Sequence, residues 1–295
     1  MSSTKISNKG WFRVFIVIPA FFIFTIVFQV FALGISFFLS GAGLIEEFTL
    51  DQLDSFDNLP VMTIIQYVDM LGIFLLLWIF MKFIDKEPFM NMGFSIKGKR
   101  NDIILGMTLG LFMMALGYIV LESLGEIQFS RINYDLSSII WLFILFIGVS
   151  VLEETFVRGY VLKNLLKSFN PIVSLVVSSA LFSLLHFFNP NVNYLALVEL
   201  FIGGIALGIS YIYTRNLWFP FAFHLSWNFF QVIFGFNVSG MDTYSLIEFE
   251  ILEPNNLNGG DFGFEGSYLS IIFTLIIIYF LNNYYKKFKI KPTNQ

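Results

Sequence analysis

The sequence predicts an all-α, polytopic transmembrane helix bundle of about eight spans, and three observations carry that prediction. First, 57% of the 295 residues are hydrophobic and only 13% are charged, giving a mean hydropathy of +0.76. A soluble domain carries about 25% charged residues. A soluble chain this apolar could not cover its own surface with polar groups, so lipid is the expected solvent. Second, the apolar residues fall into eight stretches of about 17 to 29 residues, the length that spans or nearly spans a bilayer. Third, Lys and Arg gather almost wholly in alternate connections, the asymmetry that orients membrane helices.

Taken in order, the first stretch, 12–40, is flanked by Lys5, Lys9 and Arg13 and followed by Glu46 and Glu47. With no small-residue cleavage site it is expected to remain as a span and not to be removed as a signal peptide. The second, 61–83, runs into Lys86, Lys97, Lys99 and Arg100. The third, 103–124, leads to a connection, 125–137, whose only basic residue is Arg131. The fourth, 138–163, is followed by Lys163 and Lys167 and turns at Ser168–Asn170 into the fifth, 171–188. The sixth, 194–213, precedes Arg215, and the seventh, 217–236, follows it. The eighth, 267–285, ends at Lys286, Lys287, Lys289 and Lys291. Connections 41–60 and 237–266 contain no Lys or Arg. Eight spans in the cell membrane with both termini cytoplasmic satisfy this pattern.

The connection 237–266 is acidic and rich in Asn and Gly, and is expected to be a flexible excursion partly covering the bundle from outside. The chain thus divides into three N-terminal spans (1–137), a four-span core (138–236), and the external loop with a last span (237–295). Membrane lipid is an expected partner. A net charge of −4 gives no reason to expect nucleic acid, and the absence of cysteine excludes disulfides, thiolate nucleophiles and Cys-ligated metals.

Against this apolar background the polar inventory of the spans is short. Glu153, Glu154 and Arg158 lie in the fourth, His186 in the fifth, Glu199 in the sixth, and His224, Asn228 and Gln231 in the seventh. Asp69 and Glu122 lie nearer the outer ends of the second and third. The two histidines are the only ones in the chain. A carboxylate at the centre of a membrane helix costs about 2.5 to 3.5 kcal/mol on insertion scales, so the adjacent pair Glu153–Glu154 needs a reason to be there.

Helical spacing suggests one. Glu153 and His186 stand about equally far, roughly 21 to 23 Å, from the turn that joins their helices. His224 stands about 13 Å from its own turn, so all three share one depth if the first hairpin projects further by about 8 to 10 Å. Glu154 and Arg158 are four residues apart and share a face, where they can pair. Glu153 is rotated by about 100° from Glu154 and is left free. His224 and Asn228 also share a face. The expected division is a structural Glu154–Arg158 pair and a polar cavity formed by Glu153, His186, His224 and Asn228, with Glu199 either extending that cavity or pairing with a neighbour. A carboxylate and an imidazole facing one water form a general-base site, and a second His with an Asn amide can stabilise a developing oxyanion. Ser183 and Ser226 lie in no nucleophile-elbow motif and read as small helix-packing residues.

Glu153-Glu154-x-x-x-Arg158, then Phe182-x-x-x-His186, then His224-x-x-x-Asn228 resemble the signature motifs of the CAAX-protease and bacteriocin-processing (CPBP) family, intramembrane glutamic endopeptidases related to the Rce1-type CAAX prenyl protease. The resemblance covers about residues 138–235. It implies that Glu153 and His186 activate water, that His224 and Asn228 stabilise the oxyanion, and that Glu154 and Arg158 fill the remaining motif positions. It also implies a peptide or protein substrate, with lipidation left open, and a site without metal. A zinc site would use Glu153, His186 and His224 as ligands and leave one position for water, although no HExxH arrangement is present. A non-catalytic scaffold or immunity protein on the same fold, and a transporter, are the further alternatives.

Overall fold

The computed structural model of the protein describes residues 9–49 and 58–288. Lys5, Lys289 and Lys291, used in the orientation argument, and part of the connection 41–60 lie outside the described residues. Within them the chain forms eight long helices, one in each apolar stretch: α1 (Gly10–Gly41), α2 (Leu59–Asp85), α3 (Arg100–Ser123), α4 (Leu136–Leu165), α5 (Pro171–Leu185), α6 (Tyr194–Thr214), α7 (Trp218–Ile233) and α8 (Tyr268–Tyr285).

The helix starts are set by short polar side chains that accept otherwise unpaired backbone N–H groups. Asn58 caps α2 through Val61 N at 3.1 Å, Asn170 caps α5 through Val173 N at 3.0 Å, and Asn193 caps α6 through Ala196 N at 2.9 Å. Asp135 caps α4 by accepting from Ser137 N and Ser138 N, both at 3.1 Å. The Ser138 hydroxyl first, and then these N–H groups, hold the Asp135 carboxyl below its ordinary pKa.

Six of the helices, all but α5 and α7, are long and apolar enough to cross a membrane, and the protein is a multi-pass membrane protein. The other two have 15 and 16 residues, about 22 to 24 Å, against a hydrocarbon thickness of about 30 Å. These short helices are the ones that carry or abut the two histidines.

α7 is held along α3 by close backbone approach, the usual means of packing helices in lipid. A Cβ on Gly110 of α3 would lie 2.4 Å from Ser226 Oγ and 2.6 Å from Trp227 N of α7. Ser226 Oγ donates to Met107 O at 2.6 Å, and Ser183 Oγ of α5 donates to Leu197 O of α6 at 2.7 Å. Both serines therefore act as interhelix hydrogen-bond donors.

At the end of the bundle rich in Lys and Arg, α2 and α4 each widen into a π turn, Phe80–Asp85 and Thr155–Leu162, and a charged cluster joins them to α1. Asp85 accepts from Arg13 Nη1 at 2.7 Å and from Tyr160 OH at 2.8 Å. Glu87 receives Lys163 at 2.5 Å and Lys167 at 2.6 Å. Burial pushes the Glu87 carboxyl up, but the two lysines outweigh it and hold it below its ordinary value.

The connection 237–266 corrects one expectation: it is folded. Strand β2 (Ile247–Ile251) pairs antiparallel with β1 (Ile127–Ile132), with Ile127 opposite Ile251. Phe262 and Phe264 are buried, and Asn258 is 1% exposed. Asn and Gly here serve tight turns: Gly263 has φ 94°, and a Cβ on it would lie 1.9 Å from Asn237 O. The apolar anchors Phe262 and Phe264 hold what the composition alone presented as flexible.

Candidate active site

α4 keeps regular α geometry up to Glu154 and widens into its π turn at Thr155, a distortion that often accompanies functional sites. The adjacent carboxylates lie at that change and point into different surroundings. The Glu154 side chain is 0% exposed and the Glu153 side chain 27%. One is sealed in protein and the other opens to a cavity.

Glu154 Oε1 accepts Arg158 Nη1 at 2.7 Å. The guanidinium is fully enclosed: Nη2 donates to Gly204 O of α6 at 3.1 Å, and Cζ lies 4.4 Å from the centre of the Phe182 ring. Because that carboxylate oxygen can only accept, His224 Nδ1, 2.9 Å from it, must be the donor. The expected separation of a structural pair from the cavity residues is therefore incomplete, since Glu154 also orients His224.

His186 is not within α5 but caps it, immediately after Leu185. Its Nδ1 is 2.8 Å from Phe182 O, and a carbonyl only accepts, so Nδ1–H donates here too. Both imidazoles are thus fixed through Nδ1 and turn Nε2 toward one atom. Glu153 Oε2 lies 3.8 Å from His186 Nε2 and 4.0 Å from His224 Nε2. That oxygen is buried and has no hydrogen-bond partner among the described residues. Phe182 packs between the two rings, 4.8 Å from His186 and 6.1 Å from His224.

All four residues expected to converge, Glu153, His186, His224 and Asn228, line one cavity of about 380 Å³. Asn228, one turn after His224 on α7, is 5% exposed. Glu199 resolves the choice left open by doing both: it lines the cavity and accepts from Ser270 Oγ at 2.9 Å and Thr274 Oγ1 at 2.7 Å. Sequence reasoning gave no role to Glu265, which lines one end of the cavity beside Ser239, Met241 and Thr243. It accepts from Trp227 Nε1 at 3.1 Å and Ser239 N at 2.9 Å. An acid in a Gly-rich loop carries no periodic signal that could have revealed this.

Residues 135–230 match the family model described as type II CAAX prenyl endopeptidase, Rce1-like. Over these residues the chain is similar to that family. The matched segment begins at the cap of α4 and ends within α7. It contains Glu153, Glu154, Arg158, His186, His224 and Asn228, whereas α1 to α3, the folded loop and α8 lie outside it. No curated protein and no solved structure matches the chain.

Proposed function

We propose that the protein is an intramembrane endopeptidase that hydrolyses peptide bonds of a membrane-associated protein or peptide with water activated by Glu153 and His186. The observation that carries this reading is the convergence of two Nδ1-anchored imidazoles on the unpartnered Glu153 Oε2. A water between Glu153 Oε2 and His186 Nε2 gives one proton to the carboxylate while its oxygen bonds to the substrate carbonyl carbon. The carbonyl oxygen, now an oxyanion, takes hydrogen bonds from Asn228 Nδ2 and from His224 Nε2–H. His224 donates from both nitrogens only as the imidazolium, and the carboxylates Glu154 at 2.9 Å and Glu153 at 4.0 Å flank that charge. The proton held by Glu153 then passes to the departing amide nitrogen as the C–N bond breaks. No metal takes part.

The test is cleavage of lipidated and unlipidated peptides by the purified protein in nanodiscs, with and without a chelator. Turnover that survives EDTA is the expected result. Turnover abolished by EDTA and restored by zinc would assign Glu153, His186 and His224 to a metal instead. An inert wild type with an intact cellular phenotype in Glu153→Gln would favour the scaffold.

Both termini are proposed to be cytoplasmic. Reporters fused at Asn58 and Asn256 should read outside and one at Gly98 inside. An external Gly98 would reverse the orientation.

A further inference from the structure

Besides Glu265, whose oxygens are taken by Trp227 and Ser239, two buried carboxylates in the same cavity are not used by the mechanism. Asp69 of α2 is 8% exposed and Glu199 of α6 is 2% exposed. Both line the cavity. Asp69 Oδ1 and Glu199 Oε2 have no hydrogen-bond partner among the described residues. Glu199 spends its other oxygen on two α8 hydroxyls, Ser270 and Thr274, which leaves Oε2 as the free acceptor.

Both groups share the cavity with Glu153, His186 and His224. α4 and α6 run in the same direction, since each packs antiparallel to α5: Arg158 lies against Phe182 and a Cβ on Gly204 would meet Ser179. Glu199 precedes Gly204 by as many residues as Glu153 precedes Arg158, and Arg158 bonds Gly204 O. Glu199 and Glu153 therefore lie on the same side of the Arg158–Gly204 contact and line one cavity.

No Lys or Arg is among the described residues that line the cavity, and Arg158 behind it is taken by Glu154. The wall is thus acidic in a low-dielectric setting, where an unpaired buried charge is unfavourable and a bound cation restores the balance. Within the peptidase reading above, on which this rests, we propose that Asp69 and Glu199 form a subsite for a cationic side chain, Lys or Arg, close to the scissile bond of the substrate. The same wall repels a carboxylate, so a peptide whose free C-terminus falls in this part of the cavity is disfavoured.

The experiment measures binding, which does not require turnover. Three fluorescent apolar octapeptides, alike except for a central Lys, norleucine or Glu, are titrated by anisotropy against the full-length protein in nanodiscs. A charged hydrogen bond is worth about 1.5 to 3 kcal/mol, so the Lys peptide is expected to bind at least about tenfold more tightly than the norleucine peptide, with the Glu peptide weakest. Glu199→Gln keeps the shape and a carbonyl acceptor for Ser270 and Thr274 but loses the charge, and should bring the Lys peptide down to the norleucine value. Asp69→Asn should reduce the preference in the same direction and serves if Glu199→Gln does not fold. Equal binding of the three peptides to wild type, or a Lys preference retained in a folded Glu199→Gln or Asp69→Asn protein, overturns the proposal. Either outcome leaves the role of Glu153 standing, because that role is read from cleavage rate.

Discussion

Glu153→Gln is expected to lower peptide cleavage by about 10²- to 10⁴-fold, the range typical of a lost general base, while expression and melting temperature stay near wild type. The substitution preserves size and removes only proton acceptance. Its side chain opens to the cavity, 27% exposed, and Oε2 supports no other residue through a hydrogen bond, so little of the fold depends on it. Glu154→Gln should differ. Its Oε1 serves Arg158 and His224 together, and a neutral amide there weakens the hold on the guanidinium and removes a negative charge that flanks the His224 imidazolium. Slower turnover accompanied by lower thermal stability is the expected signature. Rates measured on one substrate, with unfolding followed on the same preparations, separate the two glutamates. A Glu153→Gln protein that turns over like wild type would mean the wrong base has been assigned.

Arg158→Leu should produce the largest loss of stability, about 3 to 5 kcal/mol, the usual effect of leaving a buried charge without its partner. Arg158 is 1% exposed, and its guanidinium is bound by Glu154, by Gly204 O and by the face of Phe182. Its loss leaves the Glu154 carboxylate in an apolar wall with only His224 Nδ1 to answer it, and removes a tie between α4 and α6. The double variant Glu154→Gln/Arg158→Leu removes both charges and should recover part of that stability without recovering activity. Thermal unfolding in nanodiscs checks both statements. A single variant that melts with wild type would show that the pair is not a determinant of the fold.

Hydropathy was enough to locate the helices. An apolar run of about 20 residues in lipid must satisfy its backbone internally, and it does so as a helix; the structure adds that Asn58, Asp135, Asn170 and Asn193 cap four of them. The candidate site was also legible as a set, because ionisable groups are so costly in an apolar helix that the few present stand out. Their spacing gave shared faces, and with them the Glu154–Arg158 pair. The sequence by itself therefore determined a multi-span bundle and the inventory of its polar groups. Tertiary structure alone decided that α5 stops at Leu185 with His186 as its cap, that both imidazoles are anchored through Nδ1, that Glu154 serves His224 as well as Arg158, and that Asp69, Glu199 and Glu265 line the cavity beside Glu153. It also decided that a loop rich in Asn and Gly folds over buried Phe262 and Phe264. The reason is geometric: helical periodicity gives the direction in which a side chain points around its own axis. Depth, tilt and the identity of the facing atom follow from how helices of unequal length pack against one another.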